Sequence, residues 1–344
     1  MYCFNSDYTE GCHPAILEKL IETNMVQTTG YGMDAYCDEA RQLVKEACNR
    51  PDADVHFLVG GTQTNLTIIA AALRPHQAVI ATNLSHINTH EGGAIEHVGH
   101  RILALPTTDG KLTAEQVAAE WKKYDTDPAR EHWAQPKMVY ISQSTEIGSM
   151  YTKAELKALY ATCKEIGLFL FIDGARLGYA LGSPDSDLTL EDVANNCDVF
   201  YIGGTKCGLL FGEAVVILND AIKPDFRTIA KQNGAILAKG RLLGLQFGTI
   251  MKDNLYIEIC RHATEQAYQI RDAFLANGFK LITESPTNQQ FVILTPAQYE
   301  KLSQEFVLSL IEYLPDGNYN ARICTSWATK DEEVAKLIAM IPEL

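Results

Sequence analysis

The stretch "LFLFIDGARLGYA" (Leu168–Ala180) decides the fold. Five consecutive apolar residues run into one carboxylate, a glycine and a short turn. A strand with one wet face alternates apolar and polar residues. This run does not alternate, so it reads as a strand buried on both faces. Asp173 is the only charge between Glu165 and Arg176. A charge that closes a buried strand needs a partner. Arg176 offers an ordinary structural ion pair; a protonated ring nitrogen of a bound cofactor is the functional alternative.

Similar runs lie on both sides: "VHFLV" (55–59), "AVIAT" (78–82), "RILAL" (101–105), "KMVYIS" (137–142), "DVFYI" (198–202) and "AVVIL" (214–218). Helical patterns separate most of them, clearest in "TNLTIIAAAL" (64–73), "TAEQVAAEWKKY" (113–124) and "TKAELKALYATCKEIG" (152–167). The last two open on Thr with Glu two or three residues on, a capping signature. The alternation predicts an α/β unit: a mostly parallel seven-stranded sheet with helices on both faces, in three α/β/α layers. After about residue 245 the pattern changes. A long helical stretch (253–278) leads into "FKLIT", "QQFVIL" and "NARICTSW", which predict a smaller α+β domain. The expected division is 1–245 and 246–344. Residues 1–14 carry no secondary-structure signal, and their polar side chains are free to lie over a site.

The 344 residues are enough for two domains and a large core. Lys and Arg total 29 against 43 Asp and Glu, a net charge of −14, which argues against a nucleic-acid-binding surface. No apolar run is long enough for a membrane span, and the first residues lack a charged-then-apolar signal pattern. The nine cysteines are scattered, with no C-x-x-C pair, and read as reduced packing thiols. A cytoplasmic protein is the expectation.

Open α/β sheets bind ligands beyond the carboxyl ends of their strands, so the residues at those junctions are the candidates for chemistry. In "FLVGGTQTN" two glycines precede a helix start. Gly61, Thr62 and Gln63 could cradle a phosphate on free N–H groups, or form only a tight turn with a Thr cap. The P-loop lysine and the third glycine of a dinucleotide fingerprint are both missing. "SHINTHEGGAIEHVGH" holds His86, His90, His97 and His100, but at no common zinc spacing, and no metal is expected. His86, directly after a strand, is the one placed to touch a ligand. Lys206, in "GGTKCG", lies 33 residues beyond Asp173, one strand later. Alone it reads as a lysine that snorkels to solvent. In desolvated surroundings an amine whose pKa is ordinarily about 10.4 becomes a usable nucleophile. A phosphate cradle, a ring to stack, a buried Asp and this lysine are together the parts of a pyridoxal phosphate (PLP) site.

The order "FNSD … TGYGMD … GGTQTN … SHINTHEGGA … FIDGARLGYA … GGTKCG … ARICTSW" resembles the low-specificity L-threonine aldolases, within the β-eliminating lyase group of fold-type-I PLP enzymes. The resemblance runs from about residue 4 to 330. It implies an aspartate aminotransferase-like fold and roles by position. Lys206 would carry the cofactor, Asp173 would pair with its ring nitrogen, and His86 would stack on the ring near the substrate hydroxyl. Arg176 would reach the cofactor's phenolic oxygen or the substrate carboxylate. Gly61, Thr62 and Thr205 would contact the phosphate. Ser6 and Arg322 would bind the substrate carboxylate. Tyr31 would line a neighbouring subunit's site in a homodimer or homotetramer. Two departures stand out. Glu146, in "ISQSTEIGS", occupies the place of a family histidine near the substrate side chain. "KQNGAILAKGR" replaces a segment that supplies a phosphate-contacting arginine, leaving Lys231, Lys239 or Arg241 to provide the charge.

The implied reaction is retro-aldol cleavage of a β-hydroxy-α-amino acid to glycine and an aldehyde, with His86, or a water held by His86 or Glu146, as base. Glu146 motivates an alternative: β-elimination, transamination or racemisation of another amino acid. A PLP-independent binding protein on the same fold is the reading from a different class.

Overall fold

The computed structural model describes residues 1–344. A short strand, β1 (Tyr2–Cys3), comes first. The large sheet follows: β2 (Asp54–Leu58), β3 (Gln77–Thr82), β4 (Arg101–Leu105), β5 (Gln135–Ser142), β6 (Phe169–Asp173), β7 (Val199–Gly203) and β8 (Glu213–Ile217). Each lies within two residues of its predicted run. Their order is β2-β8-β7-β6-β5-β3-β4, and only β8 runs antiparallel to its neighbours.

Both faces of the central strands are covered, which is why they lack polar alternation; β4, at the edge, has no buried residue. Leu170 and Ile172 of β6, with Phe200 and Ile202 of β7, pack into one core. Phe171, Val199 and Tyr201 point to the other face, with Met138 and Tyr140 of β5. At about 25 cal/mol per Å2, such burial is the main stabilising contribution.

The helices Ala114–Asp125 and Lys153–Glu165 both begin with capping boxes. Glu155 closes the second as expected; Gln116, not Glu115, closes the first, because the reciprocal bond needs the third helical position. No helix is long and apolar enough to cross a membrane.

The helix Leu255–Ala276 leads into β9 (Leu281–Thr283), β10 (Gln289–Leu294), β11 (Phe306–Val307), β12 (Ser309–Tyr313) and β13 (Tyr319–Cys324). Four of these form an antiparallel sheet in the order β12-β13-β10-β9. β11 instead pairs in parallel with β1, and Phe4 is fully buried among Phe306, Ile323 and Leu337. The start of the chain is therefore strapped to the small unit, although it precedes the large one in sequence. That strap carries residues 5–7 across toward the carboxyl ends of the large sheet.

Candidate active site

Asp173 ends β6 at 4% exposure, and four donors meet its carboxylate. Tyr140 Oη and Tyr201 Oη each lie 2.5 Å away, Ala175 N–H at 2.9 Å and Asn65 Nδ2 at 3.0 Å. The two tyrosines come from the strands flanking β6 and rise on the same face. Burial alone would push this carboxyl up. The charge of His86 and the hydrogen bonds from Tyr140, Tyr201 and Ala175 outweigh it and hold it below its ordinary value. Arg176 is not its partner. That guanidinium binds Asp7 in a bidentate pair, at 2.7 and 3.0 Å, and Asn288 Nδ2 adds a bond to Asp7 at 2.9 Å. Only the tertiary fold brings Asp7 there, on the N-terminal strap. Arg176 has its Nη1 left for a ligand.

His86 opens a short helix just beyond β3, and its Nδ1 lies 2.8 Å from Glu91 Oε1. The Glu91 side chain has no exposure and also accepts from Asn65 Nδ2 at 2.6 Å. Asn65 thus bridges Glu91 and Asp173. An ionised carboxylate only accepts, so Nδ1 carries the proton and a neutral ring presents Nε2 as an acceptor. Burial lowers the proton affinity of His86. The hydrogen bond to Glu91 and the charges of Asp173, Glu91 and Glu146 outweigh it and raise the pKa above that of a free imidazole. His90 stacks on His86 at 5.5 Å. His97 is exposed, while His100 is buried with Nδ1 3.1 Å from the Gln77 carbonyl.

Lys206 lies in the loop after β7, half-buried, with Nζ 5.9 Å from the Tyr8 ring centre and no carboxylate within 4 Å. Its backbone carbonyl accepts from Tyr179 Oη at 2.6 Å, which fixes the loop. Thr205 turns its hydroxyl to Glu213 Oε1 at 2.8 Å. Glu146 is half-buried and accepts from Ser142 Oγ at 3.0 Å. Burial and the charge of Asp173 raise its pKa.

The helix Gly61–Ala72 starts after β2 without a side-chain cap, and open space surrounds Gly60. Its first N–H groups are available to an anion. Thr62 is exposed there. Gln63 offers its N–H but uses its side chain on Val59 N–H and the Asn233 carbonyl. At the other side of the crevice, Arg322 holds the Asn5 carbonyl at 2.9 Å and Gln289 Oε1 at 3.1 Å, and makes no ion pair. Its Nε and the neighbouring Ser6 Oγ are buried without a hydrogen-bond partner. Both are left able to bond a polar ligand, as are other unpaired buried atoms such as Asn65 Oδ1 and Glu91 Oε2.

Tyr31 and Lys239 are not brought to this cluster. Tyr31 is exposed in a groove with Met33, Arg227 and Lys231, the last lying 4.6 Å from its ring centre. Lys239 is exposed and makes no ion pair. Arg241 is occupied by the carbonyls of Thr23 and Val26. Sequence reading missed Asn65, Glu91, Tyr140, Tyr201, Asp7 and Glu213. The H-x4-E spacing of His86 and Glu91 was the one available signal among them.

The family model for β-eliminating lyases matches residues 4–297. A low-specificity L-threonine aldolase of a Pseudomonas species is 31% identical, over 98% of this chain and 96% of its own. The solved structure of a threonine aldolase from Leishmania major superposes with a TM-score of 0.97 at 48% identity, over 100% of this chain and 99% of that one. A Thermus thermophilus aspartate aminotransferase superposes at 0.71 with 14% identity, covering 100% of this chain and 91% of its own; it shares the fold alone.

Proposed function

The chain belongs to the β-eliminating lyase family, and from that premise we propose a PLP-dependent aldolase that cleaves L-threonine and L-allo-threonine to glycine and acetaldehyde. One observation carries the reading. Lys206 is an amine with no carboxylate partner, one strand from a buried carboxylate kept ionised by four donors. The residues present fit PLP. Lys206 would hold it covalently, Asp173 would face its ring nitrogen and His86 its ring. The first N–H groups of the helix Gly61–Ala72 would take the phosphate. Asn65, already shared with Glu91, is the donor to Asp173 that can yield to a pyridinium N–H. When bound, the cofactor supplies an electron sink for the pair left on Cα as the Cα–Cβ bond breaks.

The chain's own groups do the rest. Arg322 Nε and Ser6 Oγ bind the substrate carboxylate, with Arg176 Nη1 beside them. His86 Nε2 takes the β-hydroxyl proton, while Glu91 holds the ring and stabilises the imidazolium. Glu146, whose pKa is raised by burial and by the charge of Asp173, meets the substrate side chain.

The test is product analysis. Purified protein with PLP and L-threonine is expected to release glycine and acetaldehyde in equal amounts. Ammonia with a keto acid in place of glycine would overturn the aldol reading. Borohydride reduction followed by peptide mapping is expected to place the cofactor on Lys206, with no labelling in Lys206→Ala. We also propose a cytoplasmic homodimer, further paired to a tetramer, in which Tyr31 lines a neighbour's site; the exposed apolar side chains of Ile21, Met25, Tyr31 and Met33 support such an interface.

A further inference from the structure

Glu213 is a buried carboxylic acid that the aldol chemistry does not use. It opens β8, whose register sets it beside Leu58 at the end of β2 and Gly203 at the end of β7. Those ends lead into the Gly60–Gln63 turn and the Gly204–Lys206 loop. The residue is 2% exposed. Its partners all belong to the loop: Oε2 accepts from Gly204 N–H at 3.1 Å and Oε1 from the Thr205 hydroxyl at 2.8 Å. Thr205 Oγ1 in turn accepts from Gly212 N–H at 3.0 Å.

A hydroxyl has one hydrogen to give. While Glu213 is ionised, Thr205 spends that hydrogen on it and has none for an anion. With a proton on Oε1 the direction reverses: Glu213 donates to Thr205, and the hydroxyl hydrogen is free. We propose that Glu213 must be protonated for the phosphate-bearing cofactor to dock fully, because only then is Thr205 a hydrogen-bond donor to the phosphate. Glu213 is then a positioning residue acting through Thr205. The proton comes from solvent, and no covalent bond of the substrate changes.

This inference rests on the PLP reading of the site. The surroundings favour it. Burial pushes the Glu213 carboxyl up to about 8, against the hydrogen bonds from Thr205 and Gly204 and the charge of Lys206. Asp173, at the end of β6, contributes to that rise. Tyr201 on β7 and Tyr256 on the helix Leu255–Ala276 face it as neutral phenols. Lys206 is the one charge opposing the neutral acid, alongside the hydrogen bonds from Thr205 and Gly204, and an incoming phosphate adds to the groups that favour it.

PLP uptake, followed by absorbance from about pH 6 to pH 10, tests it. In Glu213→Gln the amide donates to Thr205 at every pH. The two proteins are expected to bind PLP alike near neutral pH. Above about pH 8 the wild type should weaken relative to the variant, by up to roughly tenfold per pH unit. Parallel curves would overturn the proposal. Thr205→Ala gives an independent measure should the Gln variant fail to fold. Wild type is expected to bind roughly tenfold or more tightly than Thr205→Ala at neutral pH, with the ratio closing toward one in alkali; a constant ratio overturns it. Wild-type protein that takes up no PLP at any pH would instead sink the reading of the site, and this proposal with it.

Discussion

At His86 the decisive partner is a carboxylate five residues on, with no exposed surface of its own. Glu91 sets which ring nitrogen carries the proton and how basic the other one is. A base works only when unprotonated, so activity rises with pH through the His86 pKa. That pKa is raised, and part of the elevation comes from Glu91. In Glu91→Gln the acid limb of kcat/KM is therefore expected to move to lower pH. The plateau kcat should fall roughly tenfold or more, as a weaker and less well oriented base takes the proton. KM for threonine should change little, because Arg322 and Ser6 are untouched. An unmoved acid limb would assign that limb to another group. Asp173 and Lys206 were legible in the sequence as lone charges close to the end of an apolar run, and His86 as the histidine that directly follows a strand. Glu91 was not, because the chain there holds several polar residues of equal promise.

The elements carry this chemistry through close packing at the ends of β6 and β7. Gly174 follows Asp173, and its carbonyl accepts from Gly203 N–H at 3.0 Å. A Cβ on Gly174 would stand 1.7 Å from the Tyr201 carbonyl oxygen. No rotamer relieves a clash with backbone, so β6 and β7 would have to separate. Gly174→Ala is expected to cost about 3 kcal/mol or more of stability, among the large values for single substitutions. It should also break the bond from Tyr201 to Asp173. Thermal melting checks the first and cofactor affinity the second; a melting temperature within a degree or two of wild type would refute both. The sequence shows that a glycine follows the aspartate. It does not show which strand lies against it, since 25 residues intervene between the end of β6 and the start of β7.

Across the whole molecule, the buried Asp7–Arg176 pair ties the N-terminal strap, the large sheet and, through Asn288, the small unit. Burial opposes ionisation of Asp7, but the Arg176 guanidinium and the Lys206 charge hold its carboxyl well below the usual range. A depressed carboxyl stabilises fully above its unfolded pKa of about 3.9 and loses that contribution as pH falls below it. The tie is therefore intact at neutral pH and fails only in acid. Asp7→Asn leaves a buried guanidinium without a counter-charge and is expected to cost about 3–5 kcal/mol. The loss should shrink below about pH 4 in urea unfolding; an equal loss at all pH would contradict the assignment. Ile21 is 69% exposed beside Met25, at 88%. Ile21→Glu is expected to lower the molecular mass in solution measured by light scattering, and an unchanged mass would place the interface elsewhere. The sequence by itself determined the seven strands and the Asp, Lys and His just beyond their ends, because strands packed within a sheet covered on both faces write themselves as apolar runs. The tertiary structure alone decided their partners. Tyr140 and Tyr201 reach Asp173 because β6 lies between β5 and β7. Asp7 claims Arg176 because the strap crosses from the small unit. Glu213 sits under Thr205 because β8 runs backward between β2 and β7. Strand order and chain crossing are set by packing over long separations, and no local pattern of residues records them.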